Sequence, residues 1–388
     1  MPIKSFKTEI KPTITQKVEI NQTIGVCRYL YNLYISINKE RYTNKLPFLS
    51  GNEFDKWINN VHSQEEGFSW IKNVSSKARK KAIKNAEMAY KRFFNKLSAF
   101  PRFKKKRDQN VKLYFVKNNS TDCSVKRHRI KVPLLGWVRL KEFGYIPSNI
   151  VIKSGTISYK AGRHYISVIT ETECISNSSV SHSEGIGIDL GIKTFVTTSN
   201  GIKFGNINKT TKLKNLEKRL KRQQRKLSNK NYMRKQKGGT ATTTLSSVNI
   251  DKQCLKVQKL YQHISNIRTD YVNKVVNTLA ITKPLFITVE DLNIRGMMKN
   301  RHLAKAITQQ KFYEFIIKLK NKARKYNIEF RTVSRFYPSS KLCSDCGFIK
   351  KDLTLKDRIY KCDNCGLIED RDINASINLK NAKEYKVA

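Results

Sequence analysis

The chain has 388 residues, 77 of them Lys or Arg against 30 Asp or Glu, for a net charge of +47. That length holds roughly two to four domains, and that charge marks a chain built to neutralise phosphates, with binding that falls steeply as salt rises. It argues against an ordinary enzyme of small molecules; no apolar run is long enough to span a bilayer, and Met1-Pro2-Ile3-Lys4-Ser5 lacks the apolar core of a signal peptide.

Residues 1–14 read as one strand and a connection, bracketed by Pro2 and Pro12. From about 15 to 45, Leu30, Leu33, Tyr34 and Ile37 recur at helical spacing. Lys45-Leu46-Pro47 breaks that helix, and Ser50 with Glu53 has capping-box spacing for a restart. A third helix is expected from about Ser75 to Leu97. Ala82, Ala86, Ala89, Phe93 and Leu97 lie on one side, and Lys77, Arg79, Lys80, Lys84, Lys91 and Arg92 on the other. Such a basic face is either solvated or laid against nucleic acid, and in a chain this basic the second reading is favoured. The run Pro101-Arg102-Phe103-Lys104-Lys105-Lys106-Arg107 then ends the helical region as a phosphate-contacting edge.

Residues 110–175 change character. Short alternating runs at 112–116, 137–140, 150–152, 156–159 and 164–169 predict a small antiparallel barrel or sandwich. Residues 176–184 are small and polar and read as a linker. Ile186-Gly187-Ile188-Asp189-Leu190-Gly191, Thr194–Thr198 and Ile202–Phe204 follow as a three-strand meander with Asp189 near the end of its first strand. Residues 212–237 hold twelve Lys or Arg and one acid, Glu217, with a thin stripe of Leu213, Leu216, Leu220 and Leu227. Self-repulsion at that density wants a counter-charge, so this helix, with Arg219, Arg222 and Arg225, reads as lying along phosphates. The Gly/Thr/Ser stretch 238–247 interrupts it. A second long helix at about 249–281 leads to the strand Pro284–Glu290, then a helix near 308–326 and a strand at 328–333. The last helix begins in Glu369-Asp370-Arg371-Asp372. Three strands, helix, strand, helix, strand and a final helix headed by acids is the ribonuclease H order.

Asp189 alone reads as a turn residue. Glu290 says more, because a carboxylate ending a buried apolar strand needs a partner. Of the two last acids, Asp370 suits a helix N-cap, and Asp372 heads a small face with Ala375, Ser376 and Leu379. Asp372 is therefore the expected ligand, with Asp370 in reserve. Three carboxylates at three element ends suit Mg²⁺, which takes oxygen ligands. The chemistry expected is phosphodiester hydrolysis with two Mg²⁺ about 4 Å apart, bridged by Asp189.

Eight cysteines divide into four scattered ones and four clustered as Cys343-x₂-Cys346-x₁₅-Cys362-x₂-Cys365. The spacing is that of a zinc ribbon, each pair sitting in a Cys-x-x-Cys-Gly knuckle, and four thiolates would close the shell of a structural zinc. A metal site plus free thiols suits a reducing cytosol. The six histidines form no His-x-His pair, and there is no P-loop.

At Gly187–Lys193, Val289–Met298, Pro338–Gly347 and Asp370–Ala375 the sequence resembles the TnpB (OrfB) family of bacterial insertion sequences, relatives of the type V CRISPR effectors. Phe68–Lys72 and Ala99–Lys104 resemble the family's N-terminal half, so the likeness covers nearly the whole chain. It implies a multidomain α+β protein. A RuvC-like nuclease domain (185–336 and 367–384) would carry Asp189, Glu290 and Asp372 as its triad and an inserted zinc ribbon (337–366) that binds target nucleic acid. A wedge-like barrel (1–14 and 101–175) would hold a helical recognition domain (15–100), with the linker at 176–184. It further implies a guide RNA from the transposon end, cleavage of matching double-stranded DNA beside a short adjacent motif, and a monomeric protein in a cytoplasmic, nucleoid-associated ribonucleoprotein of a bacterium or archaeon. Two rivals stand beside this reading. One is a strand-transfer transposase with the same acids, lacking a tyrosine-type His-x-His site. The other is a non-catalytic regulator that grips RNA or DNA.

Overall fold

The computed structural model describes residues 3–117, 119, 122–171, 184–236, 244–354 and 357–387. They fall in two compact units, Met1–Ile175 and Ser176–Ala388. The expected linker lies, apart from Glu184, outside the described residues, as do 238–243 of the Gly/Thr/Ser stretch.

In the first unit, β1 (Ile3–Lys11) buries Phe6, Thr8 and Ile10, the period of two that a half-covered strand requires. It lies inside a seven-stranded antiparallel sheet. The other strands are β2 (Leu113–Val116), β3 (Val125–Lys126), β4 (Arg129–Val132), β5 (Gly136–Leu140), β6 (Ile152–Lys160) and β7 (Arg163–Glu171). Their order is β2-β6-β7-β1-β5-β4-β3. The runs read separately at 150–152 and 156–159 belong to one stretch ending in β6, and the β3–β4 hairpin was not foreseen, its strands being too short to show a period.

Three helices fill the stretch between β1 and β2: α1 (Ile14–Thr43), α2 (Gly51–Trp57) and α3 (Ser76–Phe94). Thr13 with Gln16, and Ser50 with Glu53, close capping boxes at the heads of α1 and α2. Leu30, Tyr34, Phe54, Ile58, Ile83 and Tyr90 share their core. The buried stripe of α3 is Ala78, Ala82, Ile83, Ala86 and Tyr90, so two expectations need correction. Arg79 is buried and donates to Asn59 Oδ1 at 2.8 Å instead of joining the basic face. Leu97 lies past the helix end and is 76% exposed.

The second unit is a mixed six-stranded sheet: β8 (Ile186–Leu190), β9 (Thr194–Thr198), β10 (Lys203–Gly205), β11 (Phe286–Glu290), β12 (Glu329–Val333) and, at the chain end, β15 (Lys386–Val387). The order is β10-β9-β8-β11-β12-β15; β8, β11 and β12 are parallel and the rest antiparallel. Leaving aside β15, this is the strand arrangement of a ribonuclease H-like domain. Between β10 and β11 run α4 (Thr211–Gln236) and α5 (Thr244–Ile281). Leu213 and Leu220 pack on Val257 and Ile264. That narrow seam leaves Arg219, Arg222 and Arg225 exposed. Between β11 and β12 come α6 (Ile294–Met297), α7 (Arg301–Gln310) and α8 (Phe312–Lys325). The single helix expected near 308–326 is thus two pieces, broken where Lys311 takes a left-handed φ of 56°. The ribbon strands β13 (Ile359–Lys361) and β14 (Ile368–Asp370) precede α9 (Arg371–Lys380).

Ile186, Ile188, Ile287 and Val289 face a core with Val272, Val276, Phe312, Phe315 and Leu319. Alternation then turns Gly187, Asp189, Thr288 and Glu290 to the opposite face, where α9 packs across β8, β9 and β11. Gly187 is required there. A Cβ on it would stand 2.0 Å from Ser376 O and 2.4 Å from Lys380 N, so the helix backbone rests directly on the strand.

Candidate carboxylate site and four-cysteine ribbon

Three elements deliver the three predicted acids to one end of the sheet. Thr288 pairs with Gly187 and Val289 with Ile188, so the next residues along the two parallel strands are Glu290 and Asp189. Asp372 comes from the first turn of α9. All three are half-buried. Burial raises the Asp189 carboxyl, and the Glu290 and Asp372 charges raise it further, to about 7; the Leu190 N–H and Arg371 act against this. Burial also raises the Glu290 carboxyl, opposed by a hydrogen bond from the Ser339 hydroxyl. A carboxyl raised by burial and by two neighbouring acids marks a site whose charge suits a cation, and an all-oxygen donor set suits a hard divalent one.

The flanking acids do other work. Asp370 is the N-cap of α9, accepting from Asp372 N at 3.0 Å and Ile373 N at 3.2 Å, and it takes Lys203 Nζ at 2.7 Å. Burial opposes its ionisation, but Lys203 and the backbone donors outweigh it and hold the carboxyl below its usual range. Asp291 is exposed and paired with Arg335 at 2.6 Å. Neither is free to turn toward Asp189 without losing those partners.

Cys343, Cys346, Cys362 and Cys365 bring their sulfurs within 4.8 Å of one another, and among the described residues they are the one such close group of possible metal ligands. The Cys343–Cys365 and Cys346–Cys362 separations are both 3.6 Å. That is far beyond a disulfide bond and close to the edge of about 3.8 Å that four thiolates make around a metal about 2.3 Å away. Both knuckles fold alike. Gly347 N donates to Cys343 O and Gly366 N to Cys362 O, with φ of 76° and 77° at these glycines. The residues present fit one tetrahedral zinc.

The basic candidates lie on separate elements. Lys105, Lys106 and Arg107 are exposed at a short 3₁₀ turn (Lys106–Asp108). Lys104 is half-buried, its ammonium 5.1 Å from the centre of the Tyr31 ring and its backbone held by Asn32. One residue at the carboxylate site escaped the sequence reading. Ser339 is buried against Glu290. A serine in Pro338-Ser339-Ser340 carries no pattern that separates it from a turn residue; only its place in the fold does.

Comparison with known proteins matches three stretches of the chain. The family model of an OrfB_IS605 "Probable transposase" matches residues 166–301, an OrfB_IS605 "Helix-turn-helix domain" matches 1–46, and a "Cas12f1-like, TNB domain" matches 312–379. The described residues of the second stretch form one strand and one long helix. A protein of Escherichia coli (strain K12), provisionally named RNA-guided DNA endonuclease InsQ, is 29% identical over 97% of this chain and 91% of its own length. A Streptomyces pristinaespiralis protein, also provisionally named an RNA-guided DNA endonuclease, is 28% identical over 97% and 88%. The solved structure of the mini-RNA-guided endonuclease CRISPR-Cas phi3 aligns with a TM-score of 0.50 at 12% identity, covering 98% of this chain and 92% of that one, which shows a shared fold. The motifs quoted from this sequence, the three family models in chain order and relatives that run nearly end to end agree in what the chain is similar to: the TnpB (OrfB) family of insertion-sequence proteins.

Proposed function

We propose that the chain is an RNA-guided DNA endonuclease of a transposable element, cutting double-stranded DNA that matches a guide RNA beside a short adjacent motif. The observation that carries this reading is the convergence of Asp189, Glu290 and Asp372 on one sheet end, with Asp189 raised to about 7 by burial and by its two neighbours. Two Mg²⁺ held by these carboxylates would supply an activated water and a stabilised leaving oxygen for phosphodiester hydrolysis. Asp189, Glu290 and Asp372 would hold the ions. Asp370 keeps the first turn of α9 in place, and Ser339 keeps Glu290 in place.

The remaining roles rest on charge and on the resemblance to the TnpB (OrfB) family. Lys104, Lys105, Lys106, Arg107, Arg219, Arg222 and Arg225 neutralise the backbones of guide and target. Residues 1–14 and 101–175 serve as the wedge-like barrel, 15–100 as the recognition domain, 176–184 as linker, 185–336 with 367–384 as nuclease, and 337–366 as a zinc ribbon for target binding. The working particle is one protein chain with a guide transcribed from the transposon end, in the cytoplasm at the nucleoid. Among the described residues no helix is long and apolar enough to cross a membrane.

The test is to express the chain with its natural downstream flank and sequence the RNA that copurifies. The particle is then offered plasmids with the matching target beside randomised flanks in Mg²⁺. Guide-dependent cuts beside one enriched flank support the proposal. Joined instead of cut DNA would support a strand-transfer transposase.

A further inference from the structure

Ser339 is 2% exposed, and its hydroxyl donates to Glu290 Oε1. That hydrogen bond engages one of the two carboxylate oxygens. Ser339 is itself held from α9, the helix that carries Asp372. Asn378 Nδ2 donates to Ser339 O at 2.8 Å and to Leu342 O at 2.6 Å. Asn374 Nδ2 donates to Leu342 O at 2.7 Å, and its Oδ1 accepts Ser344 N at 2.9 Å. Tyr337 returns a bond to Asn378 O at 3.2 Å. Asn374 and Asn378 are 0% and 3% exposed, so these bonds are sheltered from water and costly to leave unmade.

The segment they clamp, 337–344, runs directly into Cys343 and the first knuckle. The second knuckle returns through β14 to Asp370 and Asp372. Both ends of the ribbon are therefore anchored within a few residues of the carboxylates. We infer that Ser339 is a positioning residue for Glu290, and that Asn374 and Asn378 make its placement depend on the folded root of the ribbon. This rests on the reading of Asp189, Glu290 and Asp372 as a divalent-cation site. Removing a partner that orients a metal-binding carboxylate weakens metal affinity about ten- to hundred-fold.

The test titrates Mn²⁺, as the probe, into the zinc-loaded full chain and follows free Mn²⁺ by its paramagnetic resonance. Ser339→Ala should weaken Mn²⁺ binding at least about ten-fold, Ser339→Thr, which keeps the hydroxyl, should bind nearly as the unaltered chain does, and both should keep one zinc per chain. Asn378→Ser reaches the same carboxylate from α9 and should weaken Mn²⁺ in the same direction; it carries the test if Ser339→Ala loses its zinc and thermal transition. Unchanged Mn²⁺ affinity in Ser339→Ala, alongside weakened binding in Asp189→Ala, overturns the positioning role alone. Equal affinity in the unaltered chain and Asp189→Ala overturns the cation site, and the positioning role with it.

Discussion

Asp189 shows how a single side chain records its surroundings. Its carboxyl stands at about 7 against an ordinary 3.8 because burial and two neighbouring acids disfavour its charge. The folded chain thus holds that proton more tightly than the unfolded chain does. The stability this contributes is complete below about pH 4 and is lost as pH rises through about 7. In zinc-loaded protein without added Mg²⁺, the thermal transition should fall between about pH 5 and pH 7, and Asp189→Asn should flatten that slope. An equal slope in both proteins would contradict the account. Gly187 gives a steric counterpart. Alanine there would press on the α9 backbone, where no flexible side chain can yield, so Gly187→Ala should cost about 3 kcal/mol, seen as a lower unfolding midpoint. At this scale Glu290 was readable because a carboxylate closing an apolar strand is out of place, whereas Asp189 alone looked like a turn residue and Asp372 stood out only by heading a small helix face. Ser339 was not, since a hydrogen bond between residues 49 positions apart leaves no local pattern.

Among the elements, α4 is defined by what it cannot bury. Its apolar seam covers Val257 and Ile264 of α5, and Arg219, Arg222 and Arg225 remain exposed. If they lie on phosphates, replacing all three by Gln should reduce the slope of log affinity against log salt by roughly two to three, in titrations of the copurified RNA across salt concentrations. An unchanged slope would make this a merely solvated face. The ribbon is set by covalent spacing. One zinc per chain is expected, and Cys343→Ser should lower that content and the stability of the 337–366 segment, read by zinc analysis and proteolysis. Long helices, the ribbon spacing and the strand order were legible because each repeats a period or a motif. The α7–α8 break at Lys311 and the β3–β4 hairpin were not. One turns on a single left-handed residue and the other on strands of two and four residues.

The whole molecule joins a net charge of +47 to two units, one built on an antiparallel sheet with helices and one on a ribonuclease H-like sheet. The charge suits long stretches of phosphate, and the second unit brings Asp189, Glu290 and Asp372 to one end of its sheet. The most direct measurement is cleavage of a guide-matched plasmid by the purified ribonucleoprotein in Mg²⁺, with Asp189→Ala prepared alongside and shown to hold the same RNA. The proposed guided nuclease activity requires double-strand cuts with the unaltered chain and a loss of at least about a thousand-fold in rate with the variant. Equal cutting by both proteins, or none by either while the RNA stays bound, would contradict it.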